Sequence, residues 1–379
     1  ALRLAVAAHA NASQATLAAL CCAIEAEIRT AALSNPNCPA NFITLLAAAG
    51  AAPDLQGVTR QYEALSAAQL GQLAELAPWG RFLAARHPDS PPALLAAIAQ
   101  DPDWRVRSGL LDNPQAADEH CLGWLAETAG IDLQAIAGLH RPSAGEDQLL
   151  KLALSPSPEL RLAVARHPAA TPNLLALLAT DGLKEIRTLA AGHPKIRSAD
   201  LQRLIRAGST PDLMGLSEPD SSMTAAEVRE LLEGGIWARQ LAVRHPNADA
   251  RTLAQLLCDR EPKIREWAAV HPNLSPETKQ NLLRAGSGSD FQGIMPPDPD
   301  LPANMLWEIA ELGSWGTWVV ANNPYAPPDL LDSLANSDDW QVRMFVARNK
   351  NTPAAALSRL AQDPVTEVSK EAEEVKRLK

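Results

Sequence analysis

The sequence predicts an all-α chain: a right-handed α-solenoid, or superhelix, of about fourteen two-helix units of roughly 26 residues, grouped in blocks of about 78. Three observations predict it. A short signature recurs at a fixed interval, the apolar residues inside each interval follow helical spacing twice over, and a slower period marks every third unit.

The signature is an apolar helix followed by Asn or His and then Pro. It stands at Asn35-Pro36, His87-Pro88, Asn113-Pro114, His167-Pro168, His193-Pro194, His245-Pro246, His271-Pro272 and Asn323-Pro324, at gaps of 52, 26, 54, 26, 52, 26 and 52 residues. His9 lies 26 residues before Asn35, Asn349 lies 26 after Asn323, and His140 falls 27 from both Asn113 and His167. The period therefore runs over nearly the whole chain, which predicts a single repeat domain over 1–379.

Within a unit, a start signal follows the Pro, as in Ser90-Pro91-Pro92, Thr171-Pro172, Ser275-Pro276 and Thr352-Pro353. Ser or Thr caps the free amides of a helix start, and Pro fits the first turn without losing a needed donor. A short apolar helix comes next, such as the one over 94–99, then a turn at Gln100-Asp101-Pro102-Asp103, then a second helix from Trp104 to Asp112. In the unit from Leu160, the residues Leu160, Ala163, Val164 and His167 lie on one helical face. The closing Pro forces the residue before it out of the helical region. Helices this short are unstable alone, so neighbouring units must supply the stability. Adjacent leucines, and leucines three or four apart, exclude the strand-based horseshoe of ordinary leucine-rich repeats.

The slower period appears in four related segments, 53–58, 131–136, 211–216 and 289–294, whose Asp residues are 78, 80 and 78 apart. Every third unit is expected to lack a normal second helix, with an often Gly-containing element in its place. Duplication of a three-unit block explains this, and the loops are also candidates for a binding face.

An acidic residue precedes an Arg by six positions in Asp101/Arg107, Asp181/Arg187, Asp259/Arg265, Glu75/Arg81 and Glu233/Arg239, and Val-Arg pairs open helices at Arg105-Val106-Arg107 and Gln341-Val342-Arg343. In these features most of the chain resembles the HEAT-like and variant leucine-rich repeat (LRV-type) α-solenoids of the bacterial type. The resemblance implies that the five Asp/Glu–Arg pairs form a ladder bridging successive units, a role left open where Ser155 faces Arg161 or Thr317 follows Glu311. It specifies fold and not activity.

Composition narrows the function. Hydrophobic residues are 46% of the chain, enough for a continuous core, and the net charge is −10. An acidic chain repels a phosphate backbone unless its basic residues are segregated, which disfavours nucleic acid as a partner. Five cysteines, Cys21, Cys22, Cys38, Cys121 and Cys258, form no Cys-x-x-Cys pair, and read as reduced thiols of a cytoplasmic protein. No apolar run is long enough to span a membrane. The chain opens without Met inside the amphipathic segment Leu2-Arg3-Leu4-Ala5-Val6, which suggests a truncated amino-terminal end; the polar segment from Glu371 reads as a terminal cap. The histidines sit where Asn serves equally well, so they read as structural caps and no metal is expected. Trp79, Trp104, Trp237 and Trp340 read as packing wedges at second-helix starts, with an aromatic ledge for a ligand as the sharper alternative.

No phosphate loop, nucleophile elbow or paired-carboxylate arrangement appears, so neither an enzyme nor a cofactor is expected. Arg86, Arg166, Arg244 and Arg348 close second helices and are expected to point outward, with Phe82, Leu162, Gln240, Trp318 and Met344 on the same concave side. Arg and aromatic side chains anchor interfaces disproportionately. The expected function is therefore a non-catalytic scaffold for a protein or peptide partner. The alternatives resemble HEAT-like alkylpurine DNA glycosylases, which need a basic face, and HEAT-like bilin lyases, which need a chromophore pocket.

Overall fold

The computed structural model describes residues 2–59, 61–116 and 144–378, together with Gly123, Ile136 and Leu139. Among them lie 24 α-helices and three 3₁₀ turns, with no strand beyond three isolated β-bridges. The chain divides into two compact units, one of Ala1–Ala179 with Leu183–Ser198, the other of Thr180–Gly182 with Ala199–Lys379. Each is an α-solenoid of stacked helix pairs.

In the first unit Gln14–Cys21 pairs with Ala26–Leu33, Ala67–Leu76 with Pro78–Arg86, and Glu146–Ala153 with Pro158–Arg166. In the second, Ala250–Leu257 pairs with Pro262–Val270, Ala303–Leu312 with Ser314–Asn322, and Ala354–Leu360 with Thr366–Leu378. Second helices also pack on one another, as Pro158–Arg166 does on Lys184–Ala191, and Ser314–Asn322 on Trp340–Arg348. The start signals act as expected. Thr171 Oγ1 accepts from the Leu174 amide, and Ser66/Gln69 and Thr224/Glu227 form reciprocal capping boxes. Leu160 and Val164 are fully buried, so the apolar stripe faces the core. The helix expected from Trp104 to Asp112 is α only to Arg107 and tightens to 3₁₀ over Ser108–Asp112. Gly109 there lies so close to Phe82 that a Cβ would come within 2.8 Å of its carbonyl oxygen.

The repeat-end residues join successive pairs. Asn113 Nδ2 donates to the carbonyls of Ala85 and His87, and Asn349 Nδ2 to those of Ala321 and Asn323, at 2.8–3.0 Å. Each side-chain oxygen accepts from the amide two residues on. Histidine does the same work with its ring. Nδ1 of His245 accepts from the Asn247 amide, and Nε2 faces the Asp220 carbonyl at 3.3 Å. Those partners require the neutral Nε2–H tautomer, and burial lowers the affinity of His245 for a second proton. This is why Asn and His interchange at one repeat position.

Arginine supplies the second join, in a different register from the expected ladder. Nη1 of Arg107 and of Arg265 donates to the main-chain carbonyls of Asp101 and Asp259. Arg29, Arg161 and Arg343 donate likewise to Ala23, Ser155 and Ser337, where no acid stands. The acids instead accept from the preceding repeat: Asp101 from Arg81, Asp259 from Arg239 and Asp363 from Arg343, each twenty residues earlier. The bridge between repeats is thus real, but Asp101, Asp259, Arg81 and Arg239 make it at a spacing of twenty residues and not six. An Arg six residues on caps the first helix's end whatever side chain that position carries.

Every third unit departs from this pattern. Residues 51–58, 209–216 and 287–294 form tight loops, each closed by one antiparallel bridge, with Leu55, Leu213 and Phe291 at φ of 54°, 54° and 56°. These left-handed residues are nonetheless fully or almost fully buried. Nε of Arg29 donates to the Leu55 carbonyl and Nε of Arg265 to that of Phe291, both at 2.6 Å, so the loop carbonyl takes the place of the missing acid. Trp79 and Trp315 lie 4.3 and 4.0 Å from those guanidinium groups. Their amides donate back across the loop unit to the Cys22 and Cys258 carbonyls. The related segment 131–136 lies, apart from Ile136, outside the described residues, as do His140 and Cys121.

Candidate partner-binding surface

The fifth and ninth residues of each second helix point away from the main core in the sequence pattern, and the two compact units use them differently. In the first unit, Phe82, Arg86 and Leu162 are buried, at 7%, 6% and 4% exposure. Arg86 does not point outward as expected. Its Nε donates to Asp112 Oδ2 at 2.8 Å, Nη1 reaches the Thr59 carbonyl at 3.5 Å, and the guanidinium lies 5.5 Å from the Phe82 ring. Arg166 Nη1 donates to the same Asp112 oxygen at 3.0 Å. Asp112 occupies the ninth position of the intervening helix, 26 residues after Arg86, and so draws both arginines inward. It was legible at that spacing, yet only the arginines of the column stood out.

In the second unit the same positions leave side chains accessible. Arg244 is exposed and Gln240 half-buried. Val270, at the ninth position of the next helix, is 79% exposed and was not singled out from the sequence. Trp318 is half-buried, stacked on Trp315 with ring centroids 4.7 Å apart, and meets Phe345 edge-on at 4.9 Å. Offset stacks and edge contacts of this kind hold an aromatic group in a fixed pose. Met344 and Phe345 are half-buried, and Arg348 Nη2 donates to Glu371 at 3.0 Å. The fold thus brings Trp318 and Phe345 together, with Met344 beside Phe345 in the chain.

The tryptophans at second-helix starts fall into two classes. Trp79, Trp237 and Trp315 occupy the second helical position and are buried; the indole N–H groups of Trp237 and Trp315 donate to Ser209 and Ser287. Trp104 and Trp340 occupy the first position, and Trp340 is 39% exposed. The wedge reading holds for Trp79 and Trp237 and leaves Trp340 as surface.

A cleft of about 420 Å³ in the second unit lies between Leu232, Leu256, Leu312 and the Arg239–Asp259 ion pair, whose charges already satisfy one another. Among the described residues no group of three His, Cys, Asp or Glu is placed to hold a metal ion. Among them, too, no helix is long and apolar enough to cross a membrane.

The clearest single unit is the one closed by Arg343 and Asp363, with its helix Trp340–Arg348 stacked on Ser314–Asn322. Residues 340–365 match the leucine rich repeat variant family. This leucine rich repeat variant unit contains Met344, Arg348 and the cap Asn349 as well as the Arg343–Asp363 bridge. The same bridge recurs outside the match, at Arg81–Asp101 and Arg239–Asp259. The matched unit therefore shares its Arg–Asp bridge with units outside the match. A comparison with curated proteins finds no matching sequence.

Proposed function

We propose that the chain is a non-catalytic scaffold that binds a protein or peptide partner, and that the second-helix face of its second compact unit carries the contact. The observation that supports this reading is the Trp318–Phe345 pair, braced by Trp315 and left half-accessible beside Met344. A pre-positioned aromatic shelf loses little side-chain entropy on binding, which is why such residues dominate interface energetics. The exposed Arg244 supplies a polar anchor from the same unit, and Arg348, exposed although paired with Glu371, a second. In the first unit Arg86 and Arg166 are less available to a nucleic-acid backbone, because Asp112 already holds both.

The test is selection of peptides from a displayed random library on the folded protein, followed by calorimetric titration of the enriched sequences. Trp318→Ala is expected to weaken binding at least tenfold while leaving the circular dichroism spectrum unchanged. Enrichment of no peptide, or equal binding by Trp318→Ala, would remove the proposal.

A further inference from the structure

The sulfur of Cys21, the last residue of helix Gln14–Cys21, lies 3.5 Å from the sulfur of Cys38, in the turn before helix Ala40–Ala48. Cys21 ends one first helix and Cys38 leads into the next, within one compact unit. Cys21 has no exposed surface, whereas Cys38 is only half-buried. The neighbouring Cys22 serves a different purpose: its sulfur lies 3.3 Å from the point where a Cβ on Gly80 would stand.

Internal repeats show what this contact needs for packing alone. Shifting the pair by whole units gives Ala99 and Ala116, Ala153 and Ala170, and Leu257 and Leu274, all buried at 9% exposure or less. Small or aliphatic side chains therefore fill both positions, and packing calls for no sulfur at either. Two thiols at contact distance, one reachable from solvent, are a chemical feature added to a structural position.

We propose that Cys21 and Cys38 form an oxidant-reactive dithiol, a modification site at which a hydroperoxide converts the pair to a disulfide. The Cys38 thiolate attacks one oxygen of hydrogen peroxide; the O–O bond breaks, hydroxide leaves and a sulfenic acid forms. The Cys21 sulfur then attacks the Cys38 sulfur. The S–O bond breaks, the S–S bond forms, and the Cys21 proton leaves with the departing hydroxide as water. Two thiols are oxidised and one peroxide is reduced to two waters. Cys38 is the first to react because peroxide reaches it; burial raises the Cys21 thiol well above its usual range and keeps it protonated until its partner is activated. The bond would staple two successive first helices across a short loop and constrain the unfolded chain.

The experiment treats the folded protein with hydrogen peroxide, blocks the remaining thiols and maps tryptic peptides. The expected product joins the peptides spanning 4–29 and 30–60, separates on reduction, and raises the melting temperature by about 5 °C. Cys22→Ala keeps the cross-link, while Cys21→Ala and Cys38→Ala each abolish it. The alanines at the equivalent repeat positions indicate that these variants fold. A wild-type protein that gives no cross-link, or a cross-link that survives in Cys21→Ala and so belongs to Cys22, overturns the assignment.

Discussion

Arg343 grips Asp363 with two parallel hydrogen bonds, Nε to Oδ2 at 2.7 Å and Nη2 to Oδ1 at 3.0 Å, and both side chains are largely withdrawn from water. A third bond, from Nη1 to the Ser337 carbonyl, ties the same guanidinium to the end of the preceding helix. One side chain thus ties its own helix to the turn before it and to the next repeat. Removing it strands a carboxylate and a carbonyl together. Arg343→Ala is expected to lower stability by about 3 kcal/mol. Arg343→Lys, which cannot make the planar double contact, should recover less than half of that. Urea unfolding of both variants and of a double variant with Asp363→Asn checks this, with coupling of about 1.5 kcal/mol or more expected between the sites.

The repeat-end histidines make stability depend on pH. Burial lowers the proton affinity of His193, His245 and His271, so the unfolded chain binds protons that the folded chain refuses. Their contribution is therefore present above the ordinary histidine value of about 6.5 and is lost as pH falls below it toward the folded value. The urea midpoint should decline between pH 7.5 and pH 5.5. His245→Asn keeps both hydrogen bonds without a titrating group, and its decline should be shallower. An unchanged slope in that variant would show that His245 is not one of the groups responsible.

Asp363 acts at the acidic end. The Arg343 hydrogen bonds hold its carboxyl below the ordinary carboxylate range. That contribution exists above about pH 4 and disappears as pH falls through the lowered folded value. Asp363→Asn should therefore lose stability at pH 7 and show a smaller further loss than the wild type between pH 4 and pH 3, measured by the same unfolding midpoint.

Leu213 and Phe291 sit at φ of 54° and 56°, where a Cβ is strained, while their side chains are buried. Truncation there should invert the usual order of small residues. In a helix, Gly is less stable than Ala by about 1 kcal/mol. At Leu213, Leu213→Gly should be more stable than Leu213→Ala by about 1 kcal/mol, although both fall below the wild type by about 2 kcal/mol or more. Thermal melts of the three proteins decide it.

Arg265 carries a loop on its guanidinium. Its Nε bond to the Phe291 carbonyl, its bonds to Asp259 and Arg260, and the Trp315 ring above it leave 3% of the residue exposed. Arg265→Met should expose amides of 287–295 to hydrogen exchange at least tenfold faster. Amides of the distant helix Trp340–Arg348 should be little changed.

Much of this architecture was legible because the repeat compares the sequence with itself. Asn35, His87 and Asn113 at a common spacing identified one structural position, and Asn/His interchange there marked these residues as caps. The loop unit was legible from related segments such as Asp54-Leu55-Gln56-Gly57 and Asp290-Phe291-Gln292-Gly293. The arginine register was not. Asp101 and Arg107 lie six apart on paper, but the carboxylate faces Arg81 and the carbonyl faces Arg107, and a sequence does not distinguish a residue's side chain from its main chain. Arg86 was misread for a related reason. Its burial depends on Asp112, a charge one repeat away whose column was read only for its cations. Val270 went unnoticed because one exposed valine in an apolar helix has no signature.

The repeat-end caps also constrain how such a chain can change in evolution. Asn35, Asn113 and Asn349 each reach carbonyls 26 and 28 residues back. Loss of one residue inside such an interval would rotate that cap by about 100° away from its acceptors. The chain thus has a frame of its own, which tolerates gain or loss of whole units and punishes anything smaller. Asn323 marks the exception, reaching Ala285 across 38 residues that include the loop 287–295. Small insertions should therefore accumulate in the loop units, where the frame is already open.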